Sequence, residues 1–138
     1  MQVNPYLSFN GQCEEAFKFY EQALGGKIIF MMTWGEAPGA DQFPRETHKL
    51  IMHATLAIGD QLLMGADSPP DRYERPRGVN VSLHLKDTVE GERIFNALAQ
   101  NGTIHMPFQQ TFWSPGFGAC ADRFGIPWMV NCEQATNE

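Results

Sequence analysis

The chain has 138 residues, 43% hydrophobic and 19% charged, the size and balance of a single globular domain. Its net charge of −6 argues against a nucleic-acid partner, which needs a basic stripe, and against attraction to anionic lipid. No stretch approaches the ~20 apolar residues of a membrane span, and MQVNPYLSF lacks the basic run and apolar stretch of a secretory leader.

Pro5 to Asn10 is predicted to be a strand. Gln12 to Leu24 follows as a helix whose apolar stripe is Ala16, Phe19, Tyr20, Ala23 and Leu24, at the spacing of a helix lying on a sheet. Gly25 and Gly26 stop it, because glycine takes the left-handed cap without strain. Lys27 to Trp34 is a second strand, with Phe30, Met31 and Met32 as adaptable core filling or a dimer contact. Gly and Pro make Gly35 to His48 a loop. Leu50 to Ile58 and Gln61 to Gly65 form a hairpin about Gly59 and Asp60.

The order then repeats. Asn4 to Ile28 aligns without a gap to Asn80 to Ile104 at an offset of 76 residues. Asn4/Asn80, Leu7/Leu83, Glu14/Glu90, Phe19/Phe95, Ala23/Ala99, Gly26/Gly102 and Ile28/Ile104 are identical pairs. Two copies at so long a period mean one supersecondary module used twice, rather than a solenoid. Val81 to Lys86 is a strand, Thr88 to Gln100 a helix packing Val89, Ile94, Phe95, Leu98 and Ala99, and Asn101-Gly102 its stop. Thr103 to Thr111, Gly118 to Asp122 and Trp128 to Cys132 complete the strands, and the polar tail after Cys132 is expected to fray. The expectation is an α+β fold: a single domain, 1–138, of two βαβββ modules at 3–67 and 79–134, joined by a Pro-rich connector at 68–78.

Strand residues alternate between faces. Val81, Leu83 and Leu85 point toward the helix, and Asn80, Ser82, His84 and Lys86 away from it. Pro5, Leu7 and Phe9 oppose Asn4, Tyr6 and Ser8. Leu50, Met52, Ala54, Leu56 and Ile58 oppose Ile51, His53, Thr55 and Ala57. A face that simply met water would carry Lys, Glu and Thr. His, Asn, Ser and Tyr are what line a partly desolvated ligand pocket; a half-solvated sheet or a dimer interface remains the plainer alternative.

Three segments carry a family resemblance: PYLSFNG with EEAFKFYEQALGG, MHATLAIGDQLLMGAD, and TFWSPGFGACADRFGIPWMVN. The chain resembles the PhnB-like branch of the vicinal oxygen chelate superfamily, which includes glyoxalases, extradiol dioxygenases and bleomycin-resistance proteins. The resemblance implies two modules curling their sheets around a shared cavity, helices outside, commonly in a homodimer. The branch also carries a methyltransferase label, but no strand leads here into a Gly-rich turn of the S-adenosylmethionine or dinucleotide type. Metal-dependent members place His or Gln at the start of each module's first strand and Glu on its last. The matching residues are Asn4 and Asn80, then Leu63 or Met64, and Met129, none a strong ligand for a hard ion. No metal and no cofactor are therefore expected.

The candidate ligand-binding residues are Asn4, Tyr6, Ser8, His53, Thr55, Asn80, Ser82, His84 and Trp113, with His53 and His84 also candidates for a general base. His48 and His105 read as surface residues, and Asp67 and Asp122 as turn-capping carboxylates. Trp128 reads as packing, and Phe108, Phe112 and Phe117 as one aromatic cluster, either core or a platform for a planar ligand. Cys13, Cys120 and Cys132, without CxxC spacing, read as reduced buried thiols of a cytoplasmic protein. The expected function is binding of a small molecule between the sheets of a homodimer, with no nucleic acid and no membrane. The alternatives are a metal-dependent or His-based isomerase, lyase or dioxygenase, and a subunit whose polar groove is filled by another protein.

Overall fold

A computed structural model describes residues 1–133, and in it the strand–helix–strand order is realised twice. The first unit, ending at Glu74, comprises β1 (Tyr6–Phe9), α1 (Cys13–Leu24), β2 (Lys27–Thr33), β3 (Ile51–Ile58) and β4 (Gln61–Asp67). The second, beginning at Arg75, comprises β5 (Val81–Leu85), α2 (Thr88–Ala99), β6 (Thr103–Gln109), β7 (Gly116–Ala121) and β8 (Pro127–Cys132). Each unit holds one four-stranded sheet, ordered β1-β4-β3-β2 and β5-β8-β7-β6. In each, the first strand runs parallel to the last and the remaining neighbours are antiparallel. This is the α+β pair of βαβββ modules that the repeat implies.

Each core lies between the helix and one face of its sheet. In the first unit Leu7, Phe9, Ala54, Leu56 and Leu63 meet Cys13, Ala16, Phe17, Tyr20 and Ala23 of α1. The rings of Phe9, Phe17 and Tyr20 lie within 5.9–6.3 Å of one another. Fully burying each such ring is worth about 2–3 kcal/mol. In the second unit Cys120, Trp128, Val130 and Cys132 meet Gly91, Ile94, Phe95 and Leu98 of α2.

The helix stripes differ from the sequence expectation. Phe19 and Leu24 are half-buried while Phe17 and Cys13 are enclosed, and Val89 is 77% exposed. Burial repeats Cys13, Ala16, Phe17 and Tyr20 as Gly91, Ile94, Phe95 and Leu98, an offset of 78 rather than 76. Phe95 thus does the work of Phe17, not of its identical partner Phe19. Close approach to the sheet decides this phase. A Cβ on Gly65 would lie 2.8 Å from the Phe17 ring, and one on Gly118 2.6 Å from the Phe95 ring.

Two further expectations are corrected. Ile51 is buried, not turned to the polar face, because the β2/β3 register shifts between Met32 and Thr33 and pairs Ile51 with Thr33. The loop after β2 contains three short 3₁₀ turns, Trp34–Glu36, Ala40–Gln42 and Arg45–Thr47. His48 is their staple rather than a surface residue: its Nε2–H donates to the Ala40 and Phe43 carbonyls at 2.9 and 3.2 Å. His105 is exposed, as expected. Of the tail read as frayed, Glu133 is tied by its N–H to the Leu85 carbonyl at 2.8 Å; residues 134–138, including the expected module end at 134, lie outside the described residues.

Candidate functional site

Residues paired across neighbouring strands share a face. On the face of the first sheet away from α1, one row runs Tyr6–Met64–Thr55–Phe30, and His53 pairs with Met32 beside it. The corresponding face of the second sheet carries the rows Ser82–Met129–Ala119–Met106 and His84–Asn131–Phe117–Gln109.

Each face is organised by one imidazole. His53 Nδ1 lies 3.0 Å from the Tyr6 hydroxyl and its Nε2 3.0 Å from Thr55 Oγ1. The Tyr6 and Phe30 rings flank it at 5.6 and 5.8 Å. His84 Nε2 lies 2.9 Å from Ser82 Oγ, and its Nδ1 3.5 Å from Asn131 Nδ2. The first-strand hydroxyl, Tyr6 or Ser82, thus pairs with an imidazole in both units. The imidazole comes from the third strand of one module and the first strand of the other. Partial burial, and secondarily Cys13, hold the Tyr6 phenol above its ordinary pKa, so it remains a neutral donor and acceptor.

Six of the nine residues expected to bind a ligand lie on these faces: Tyr6, His53 and Thr55 in one cluster, Ser82 and His84 in the other, and Ser8 exposed on β1 next to Tyr6. Asn4 and Asn80 precede their strands; the Asn4 amide donates to Gln2 Oε1 at 3.3 Å. Trp113 stands half-exposed on the β6–β7 loop, 5.4 Å from Phe117 and 4.8 Å from Phe112. The expected Phe108–Phe112–Phe117 cluster divides, since Phe108 packs beside Phe95 on the helix side at 5.9 Å. Two members were absent from the sequence reading. Phe30, read as core filling or a dimer contact, is 43% exposed, which removes the core alternative. Asn131 was legible by alternation, since Trp128, Val130 and Cys132 turn inward and leave Met129 and Asn131 on the other face.

The carboxylates and thiols are structural. Asp67 is buried and caps no turn of its own, correcting the expectation: its oxygens accept from the backbone N–H of Cys13 at 2.9 Å and of Ile51 at 2.8 Å. Asp122 does cap its own turn, accepting from Phe124 and Ile126 N–H at 2.8 and 3.0 Å, and also takes the Trp128 indole N–H at 2.8 Å. All three cysteines are free and buried. Burial and then Asp122 push Cys120 up to about 11, burial and then Asp67 and Glu14 raise Cys13, and burial and then Asp87 raise Cys132. None is a poised thiolate nucleophile.

These faces do not fit the superfamily's divalent metal. The nearest matching strand positions are the pairs Tyr6–Met64 and Ser82–Met129, hydroxyls and thioethers rather than hard anionic donors. Both nitrogens of His53 and of His84 already face a side-chain partner. Among the described residues no group of three or more His, Cys, Asp or Glu side chains is placed to hold an ion.

Comparison with known proteins follows the same outline. Residues 2–130 match the sequence profile of the glyoxalase/bleomycin resistance protein/dioxygenase superfamily. The chain is 36% identical over 139 residues to Protein YjdN of Escherichia coli (strain K12), covering 95% of each. The crystal structure of protein PA1353 from Pseudomonas aeruginosa is 46% identical and superposes with a TM-score of 0.89, over 98% of this chain and 99% of that one. The PhnB protein of Bacillus cereus, 24% identical, shares the fold at a TM-score of 0.80 over 96% of this chain and 99% of its own.

Proposed function

The chain belongs to the glyoxalase/bleomycin resistance protein/dioxygenase superfamily, and from that premise we propose that it is a PhnB-like small-molecule binding protein working without the superfamily's metal. The observation that carries this reading is the pair of hydroxyl–imidazole clusters, Tyr6–His53–Thr55 and Ser82–His84–Asn131, each on the sheet face opposite the helix. A ligand lies against these faces. On the first face Tyr6, Ser8, His53 and Thr55 orient its polar groups and on the second Ser82 and His84 do so, with Asn4 and Asn80 at the strand entries and Trp113 beside the second face. The protein acts as a cytoplasmic homodimer, with neither nucleic acid nor membrane as partner.

A second reading is favoured by His53 alone. With a hydroxyl at each ring nitrogen, its proton can sit on either one, and the ring can serve as a general base in an isomerase or lyase.

Protein purified without chelators should be metal-free by elemental analysis. Its melting temperature should rise by several degrees with a cognate compound from a library of small polar aromatics, since ligand at 100 times its Kd stabilises by about 2.7 kcal/mol. His53→Ala and His84→Ala should reduce that rise. One bound ion per chain, lost in the double variant, would establish the metal-dependent enzyme instead. Absence of any ligand response would leave the protein-partner reading.

A further inference from the structure

Among the described residues, one buried side-chain polar atom lacks a hydrogen-bond partner: Asn131 Oδ1. It lies in the second unit's exposed-face row, between His84 and Phe117. Its own Nδ2 reaches His84 Nδ1 at 3.5 Å, the outer limit of a hydrogen bond. If Nδ2 donates, Nδ1 is unprotonated, Nε2 carries the ring proton, and that N–H donates to Ser82 Oγ at 2.9 Å. The Ser82 hydroxyl hydrogen then points elsewhere. Turning the amide over would give Nδ1–H an acceptor, but would leave two N–H donors where the oxygen now lies. Either way one end of Asn131 stays unmatched inside the protein. A closed-off polar atom without a partner is a standing cost to the fold, and here it sits in a polar cluster.

The rest of the row adds a shape. Phe117, next to Asn131 across the sheet, is buried with the half-exposed Trp113 edge-on to it at 5.4 Å. Ala119 leaves the neighbouring row short between Met129 and Met106. An aromatic wall, a shallow floor and an acceptor beside them suit a flat ring bearing a hydrogen-bond donor. The first unit lacks this asymmetry, since both His53 nitrogens there meet hydroxyls at 3.0 Å.

Resting on the binding function proposed above, we propose that the face formed by Ser82, His84, Asn131, Phe117 and Trp113 is a subsite for a planar ligand carrying a hydroxyl or N–H group, which Asn131 Oδ1 accepts. Ligand entry breaks the weak Nδ2–His84 contact, and the amide turns its unpartnered Oδ1 out of the protein toward the ligand's donor, while the Ser82 hydroxyl donates to a second polar atom.

The test uses the full chain in solution with two probes of the same ring, resorcinol and 1,3-dimethoxybenzene, at millimolar concentration. NMR shifts are followed at the Asn131 side-chain amide and the Trp113 indole N–H. Resorcinol should move both signals and bind at least fivefold more tightly than its ether. Asn131→Leu should abolish that preference without lowering the melting temperature, because it removes an unmatched polar group. Asn131→Asp, which keeps an acceptor beside His84, should retain the preference and guards against a simple folding defect. Equal binding of the two probes overturns the subsite chemistry and leaves the binding function intact. Silence of both signals toward both probes also overturns the subsite; the thermal screen above then decides the function separately.

Discussion

Asp67 and Asp87 show how one residue's place fixes its energetic weight. The N-terminus of α2 is capped locally by Asp87, which accepts from Val89 and Glu90 N–H at 2.9 and 3.3 Å. The first copy has Gly11 in that position and no side-chain cap from Gln12, so buried Asp67 of β4 accepts from Cys13 N–H instead and holds the start of β3 through Ile51 N–H. Asp67→Ala strands two buried donors and should cost about 3 kcal/mol. Asp87→Ala removes an exposed cap and should cost about 1 kcal/mol. Urea unfolding of both variants measures the difference; equal losses would contradict the tie from β4. The thiols give the pH dependence. A thiol in the unfolded chain ionises at about 8.5, whereas Cys120 is pushed up to about 11 by burial and then Asp122. Between those values the unfolded chain sheds a proton that the folded one keeps. The stabilisation is therefore complete below about pH 8 and falls as pH rises through the window, by up to about 1.4 kcal/mol per pH unit for each such thiol. Unfolding midpoints at pH 8 and 10.5 should separate clearly in the native protein, and less in Cys120→Ala.

At the scale of elements, alternation and turn chemistry were readable and local irregularity was not. The inward faces of β1, β5 and β8 followed the period of two, because those strands carry regular parallel ladders. On β3 the alternation failed at Ile51, where a register shift in the pairing with β2 adds an unpaired residue that no side-chain pattern announces. The helix stripes held at Ala16, Tyr20, Ala23, Ile94, Phe95 and Leu98 and failed at Phe19, Leu24 and Val89; ring-on-glycine contacts, Phe17 on Gly65 and Phe95 on Gly118, place the two copies two residues out of their sequence register. The identity of Gly26 and Gly102 in the two copies has a steric cause. A Cβ at Gly26 would lie 2.6 Å from the Ala57 carbonyl oxygen, and one at Gly102 would strike the equivalent Ala121 carbonyl. Gly25 differs: its φ is 74° and open space surrounds it, so only the left-handed backbone is at stake. Gly25→Ala should therefore cost about 1 kcal/mol, and Gly102→Ala, forced against backbone that cannot give, about 3 kcal/mol. Thermal unfolding of the two variants ranks them, and the reverse order would show that the strand entry is more pliable than the geometry allows.

For the whole molecule, the duplicated module made the fold legible, since seven identical pairs at one offset locate both units. The candidate site was half legible. Alternation placed His53, Thr55, Ser82 and His84 on the polar faces, and the Thr55–His53 and Ser82–His84 contacts join residues two apart on one strand; the Tyr6–His53 and Asn131–His84 contacts depend on strand order, which the sequence leaves open. Strand order also decides what the isolated chain leaves uncovered. β2 and β6 end their sheets, and both turn apolar side chains to solvent: Ile29 at 57% exposure, Phe30 at 43%, Ile104 at 51% and Met106 at 41%. Lys27 at the start of β2, Pro107 within β6 and a register shift in each strand blunt these edges in part, and leave those four side chains open. Exposed apolar groups at a sheet edge drive pairing with another chain, and a net charge of −6 is small enough for two copies to meet at physiological salt. A homodimer covering these strands, with an interface above about 1,000 Å², is therefore expected. Light scattering at tens of micromolar should give twice the chain mass, and Ile29→Lys or Ile104→Lys should shift the population toward monomer while circular dichroism stays unchanged. A mass of one chain at every concentration, or dimers indifferent to both lysines, would mean that these edges are tolerated in water.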